Sequence, residues 1–205
     1  MVLLSSMLSA CTLMGAGSGE DEKTGLRKIA VLPVAYSDGM GGGYACDLCP
    51  PAVQMKPTNA QAARLATAFL YEETARHPRI LKPEFEVVEP VARKGMRQAA
   101  NELAAAGQAD AVLVGALVEL RARVGSDHGP ETPAGAVMYA ALVDARTGAT
   151  LWSSTFDANE TGPGMLRSRL QRLTGAKTPR WRTAEGYTEV AAKELVDGLM
   201  DHLGG

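Results

Sequence analysis

Residues 111–120 read AVLVGALVEL, and residues 134–156 read AGAVMYAALVDARTGATLWSSTF. The first run is apolar and long enough to lie centrally in a sheet. The second holds two strands, 134–144 and 149–156, around Asp144-Ala145-Arg146-Thr147-Gly148, a short connection containing glycine that predicts a hairpin. Working outward, residues 28–34, KIAVLPV, predict a strand with Pro33 near its end or on an edge. From Thr58, read as a cap, Ala62, Leu65, Ala66, Phe69 and Leu70 fall on one helical stripe that Pro78 ends. Residues 85–88, FEVV, predict a second strand, after which Pro90 opens a helix with Met96, Ala99, Ala100 and Leu103 inward and Gly107 as its C-terminal cap. A last helix carries Val190, Ala191, Leu195, Val196, Leu199, Met200 and Leu203. The predicted order is βαβαβββα, an α/β fold of α+β character in which helices cover a mixed sheet.

Composition narrows the function. Of 205 residues, 46% are hydrophobic and 21% charged, which suits a globular core and excludes a largely disordered chain. With only 5% aromatics, that core must be built from Ala, Val and Leu. A net charge of -2 gives no field for phosphate backbones, so nucleic acid is not an expected partner. No apolar run is long enough to cross a bilayer as a helix.

The chain opens MVLLSSMLSAC, without a charge, and Leu8-Ser9-Ala10-Cys11 resembles the bacterial lipobox, whose cysteine receives a diacylglycerol. Signal peptides open with positive charge, whereas the first basic residue here is Lys23, so translation is expected to begin upstream of the Met shown. On this reading residues 1–10 are a truncated signal segment, 11–26 a flexible tether, and 27–205 a single αβ domain held to a membrane by palmitate-type chains on Cys11. Thr12, in place of Asp, after the cysteine implies sorting to the outer membrane, by the same resemblance.

Cys46-Asp47-Leu48-Cys49 is the sharpest local motif. Two thiols at this spacing can close a disulfide, shuttle electrons, contribute to a metal site or stay free. Setting Cys11 aside as acylated leaves one pair, and an oxidising compartment favours a structural disulfide. A thiol-redox or metal-handling lipoprotein using Cys46 and Cys49 is the alternative. A redox pair wants its first cysteine opening a helix, and zinc wants two more ligands, while His77, His128 and His202 stand isolated. Gly39-Met40-Gly41-Gly42-Gly43 follows a strand but does not lead directly into a helix, so it reads as a mobile loop rather than a dinucleotide turn. Ser126-Asp127-His128 are neighbours on a turn and diverge too far to form a relay. No catalytic residue, metal or cofactor is expected. Arg167, Arg169, Arg172, Lys177, Arg180 and Arg182, with Trp181 among them, make the one basic cluster; Arg167, Arg169, Arg172 and Trp181 are the candidate docking residues.

Three pieces, IAVLPV, ADAVLVGALVEL and LVDARTGATLWSSTF, together with the lipobox and the element order, resemble the αβ periplasmic domain shared by curli-secretion lipoproteins, penicillin-binding-protein activator lipoproteins and the N-terminal domain of the Tol-system protein. The resemblance spans roughly residues 28–156 and the closing helix. It implies a non-enzymatic, lipid-anchored protein on the periplasmic face of the outer membrane. Its partners would be envelope proteins, such as an outer-membrane secretion or assembly complex. Pore-forming members carry additional amphipathic strands, whereas Leu166, Leu170 and Leu173 here recur at helical spacing, so no pore is expected.

Overall fold

The computed structural model describes residues 28–78, 80–125, 130–158 and 182–204. Its centre is a four-stranded mixed sheet of β1 (Ile29–Val31), β4 (Ala111–Arg121), β7 (Gly135–Asp144) and β8 (Thr150–Asp157), in the order β1-β4-β7-β8. The apolar run at 111–120 is central, parallel to β1 and antiparallel to β7, as its composition requires. β7 and β8 form the expected hairpin. Its turn is held by Asp144, whose Oδ1 accepts the N–H groups of Arg146 (3.0 Å) and Thr147 (2.7 Å) and the Thr147 hydroxyl, with Gly148 at φ +73°. Those bonds hold the Asp144 carboxyl below the usual carboxylate range.

The first strand is shorter than residues 28–34. Pro33 offers no N–H, so the ladder to β4 breaks after Leu32 and resumes at Ala35, whose N–H reaches the Gly115 carbonyl at 2.8 Å. In the gap, the Val34 N–H donates to Thr67 Oγ1 at 2.8 Å, a buried hydroxyl on helix α1 (Ala60–Ala75). The cap of α1 is Asn59, whose side chain accepts from the Ala62 N–H at 2.9 Å, and Thr58 instead donates its N–H to the Ser37 carbonyl. α1 lies on one face of the sheet beside α4 (Ala184–Gly204), burying Ala66, Leu70, Tyr187, Ala191, Leu195 and Leu199 against Ile29, Leu113, Met138 and Leu142. At Gly115 a side chain would meet Leu70, Val34 and Met138, so α1 approaches β4 over a glycine.

The opposite face carries α2 (Phe85–Ala92) and α3 (Met96–Ala105), which bury Val88, Ala92, Met96, Ala99, Ala100 and Leu103 against Ala30, Leu32, Val112 and Val114. Residues 85–88 are therefore helical, not a strand. FEVV is too short for its period to decide between the two, and burial of Val88 and Ala92 one helical turn apart settles the conformation despite Pro90 inside the helix. The next helix accordingly starts at Met96, after Gly95 at φ +112°, rather than at Pro90. Its inward stripe is the predicted one, and Gly107 at φ +66° ends it, with the Gln108 N–H returning to the Leu103 carbonyl. Where the sequence predicts a mobile loop at Gly39 to Gly43, the chain forms the short ladder of β2 (Tyr36–Ser37) with β3 (Gly43–Tyr44). A second small ladder joins β5 (Val124–Gly125) to β6 (Pro130–Thr132). Among the described residues no helix is long and apolar enough to cross a membrane.

Candidate functional site

The segment between β2 and α1, mostly irregular apart from β3, folds back onto the face of the sheet that carries α2 and α3. Its first turn is made by Asp38, whose Oδ1 accepts the N–H groups of Met40 and Gly42 at 2.9 Å each. Gly43, at φ +109°, is required there, because a Cβ would lie 2.3 Å from the Tyr36 carbonyl oxygen. The glycine run is thus the tip of the β2–β3 hairpin, with Met40 exposed at its end, and opens no helix.

Beyond the hairpin, Cys46 and Cys49 are joined by a disulfide with Cα atoms 5.3 Å apart. The residues between them are divided in role. Leu48 is buried in the core beneath α2 and α3, flanked by the half-buried cysteines. Asp47 points the other way, and its carboxylate accepts the Arg97 N–H at 3.1 and 3.3 Å. That amide is an orphan of the first turn of α3, whose own cap position is Gly95 and carries no side chain. Asp47 is therefore the N-cap of α3, supplied from a distant segment, and a carboxylate at that end also suits the helix dipole. Arg97 answers with Nη2 on the Asp47 carbonyl at 3.3 Å, while its Nη1 lies where a side chain at Gly148 would stand.

Tyr44 makes the matching contact on α2. Its hydroxyl donates to the Ala92 carbonyl at 2.9 Å, in the last turn, where carbonyls lack intrahelical partners. Burial, assisted by the nearby Asp47 charge, pushes the Tyr44 phenol up to about 12. The segment thus grips both sides of the α2–α3 corner at Gly95. Its far end is fixed at the bulge of β4 between Leu117 and Glu119, where the Val118 carbonyl accepts the Lys56 N–H at 2.7 Å and Lys56 pairs with Glu119. One polar atom beneath this face stands apart. The Tyr139 hydroxyl on β7 is buried with no hydrogen-bond partner among the described residues.

Neither cysteine opens a helix: a turn follows Cys46 and an irregular stretch follows Cys49. Among the described residues no group of three or more His, Cys, Asp or Glu could hold a metal ion. The arrangement does the chemistry of a staple, a covalent link presenting a carboxylate cap. Sequence reasoning singled out the cysteines but missed Asp47 and Tyr44. The available signal was Gly95, a cap position without a capping side chain at the head of a well-patterned helix. Cys11, Arg167, Arg169, Arg172 and Trp181 lie outside the described residues, as do Ser126, Asp127 and His128.

No protein-family model matches the sequence, and no curated protein matches it. Solved structures do. The chain is similar to the PelC dodecamer from Paraburkholderia phytofirmans, at 17% identity, with 86% of each chain covered and a TM-score of 0.43. It is similar to lipoprotein GNA1162 from Neisseria meningitidis, at 18% identity over 73% of this chain and 94% of that one, TM-score 0.41. It is also similar to the LpoB C-terminal domain from Escherichia coli, at 14% identity over 70% and 90% of the two chains, TM-score 0.41. Lipoproteins, the kind of protein the sequence resembles, are thus among its structural neighbours.

Proposed function

We propose that the chain is a non-enzymatic lipoprotein of the outer membrane, anchored through Cys11, whose αβ domain faces the periplasm and binds protein partners in envelope assembly or secretion. The observation that carries this reading is the Cys46–Cys49 disulfide in a structural role, because such bonds persist in oxidising compartments and not in a reducing cytosol. The lipobox-like Leu8-Ser9-Ala10-Cys11 supports it from the sequence, as do the lipoproteins among the structural neighbours. Arg167, Arg169, Arg172 and Trp181 are proposed as the docking residues for an acidic partner surface.

Crosslinking in intact cells followed by capture tests the binding role. Charge reversal at Arg167, Arg169 and Arg172 is expected to weaken capture and leave the melting temperature nearly unchanged, as a docking rather than a folding role requires. Capture by the unaltered chain should also fall as salt is raised. Capture that survives charge reversal at low salt would contradict this assignment of the docking surface.

A further inference from the structure

Strand β8 is an edge of the sheet, and among the described residues it is hydrogen-bonded to β7 alone. The opposite edge, β1, is only three residues long and is bridged at Lys28 by Leu81. Soluble proteins guard long edges with lysine, proline, inward charge or a strong bulge, since unpaired backbone groups template the pairing of another strand. Strand β8, TLWSSTFD, contains no proline and no lysine, and its one charge, Asp157, stands at its very end. The bulge lies at the start of β8, around Leu151, and leaves Trp152 onward in regular register with β7.

The pattern of this strand is complementary to itself. When two copies of a strand pair antiparallel about a two-fold axis, one residue faces itself, and residues equally far on either side of it face each other. With the axis at Ser154, Trp152 of each copy faces Phe156 of the other, twice, and Ser153 faces Thr155. Trp152, Ser154 and Phe156 share the face that packs on α4, where Trp152 lies over Gly198. Ser153 and Thr155 are exposed on the other face. Aromatic pairs therefore meet on the side already built for apolar contact, hydroxyl pairs meet on the side facing water, and no like charges are opposed between Trp152 and Phe156.

We propose that β8 pairs with β8 of a second copy of this chain, joining two four-stranded sheets into one across a two-fold axis at Ser154. The pairing involves neither Cys11 nor the basic segment, so failure of the anchor or of the docking surface would leave it standing. Sedimentation equilibrium of the full chain carrying Cys11→Ser, up to high micromolar concentration, should give the mass of two chains. Ser153→Lys combined with Thr155→Lys brings ammonium groups face to face across the pairing and should give the mass of one chain that still unfolds cooperatively. Ser154→Cys in the same Cys11→Ser background should oxidise to a covalent dimer, and Ser153→Cys should not, which decides the matter even if the double lysine variant fails to fold. A single-chain mass at high concentration, or a Ser154→Cys chain that stays monomeric under oxidation, would overturn the proposal.

Discussion

On one face of the sheet α1 and α4 bring helices of 16 and 21 residues; on the other, α2 and α3 bring 8 and 10. The long helices close their face with side chains alone, through Leu70, Tyr187, Leu195 and Leu199. The short ones cannot. Isolated helices of that length are marginal, and each leaves orphan groups at its ends that form a large share of its backbone. Those groups at the α2–α3 corner are met by Tyr44 and Asp47, from a segment that the Cys46–Cys49 disulfide constrains. Both faces bury an apolar core, but the second adds directed contacts at the α2–α3 corner, and the two should fail differently.

The largest effect is expected on the first face. Leu199→Ala removes a fully buried side chain between α4 and the sheet and should lower global stability by about 2–5 kcal/mol in denaturant titration. Replacing both Cys46 and Cys49 by Ser should cost at most about 2 kcal/mol, because the closed loop is so short that little chain entropy is removed from the unfolded state. A loss as large as that of Leu199→Ala would mean that the staple, rather than the helix faces, carries the domain. Asp47→Ala should cost about 1 kcal/mol, the usual worth of an N-cap. Amide exchange should sharpen the contrast: Arg97 and the first turn of α3 lose protection, while α1 and α4 keep theirs.

Alkali probes the second face through Tyr44. The Tyr44 phenol is pushed up to about 12 in the folded chain, against about 10 unfolded, so the native state keeps its proton where the unfolded state gives it up. This contribution is fully present below pH 10 and is lost as pH rises from about 10 towards 12. Tyr44→Phe should reduce that slope, leaving the part contributed by Tyr187 on α4, whose phenol is also pushed up by burial. The smallest effect is expected at Tyr139. Tyr139→Phe deletes a buried hydroxyl without a partner and should leave stability unchanged or raise it by up to about 1 kcal/mol. A clear loss would show that the hydroxyl is satisfied.

The difference between the faces also explains what could be read from residue order. Residues 111–120, the hairpin around Asp144, the stripe from Met96 to Leu103 and the Gly107 cap all declare themselves within one turn or one strand, because the interactions that select them are local. The helical state of residues 85–88 is decided by packing of Val88 and Ala92 on the sheet, which a four-residue run does not display. Asn59 rather than Thr58 caps α1 because the helix begins at Ala60, which puts the Asn59 side chain in reach of the Ala62 N–H. At the site, the cysteine spacing announced a bond, but the purpose of Asp47 lies fifty residues away at Arg97 and has no signature in the CDLC motif itself. Tyr44 has the same character, since its partner is a main-chain carbonyl that any residue would offer.

The measurement that bears most directly on the proposed role is acylation of Cys11. The chain, expressed in bacteria from a start codon that restores a charged leader, should incorporate labelled fatty acid, and Cys11→Ser should abolish the label. In the same cells Cys46 and Cys49 should resist alkylation unless a reductant is added first. Equal labelling of both chains, or none in either, together with freely alkylated Cys46 and Cys49, would contradict a lipid-anchored protein of an oxidising compartment.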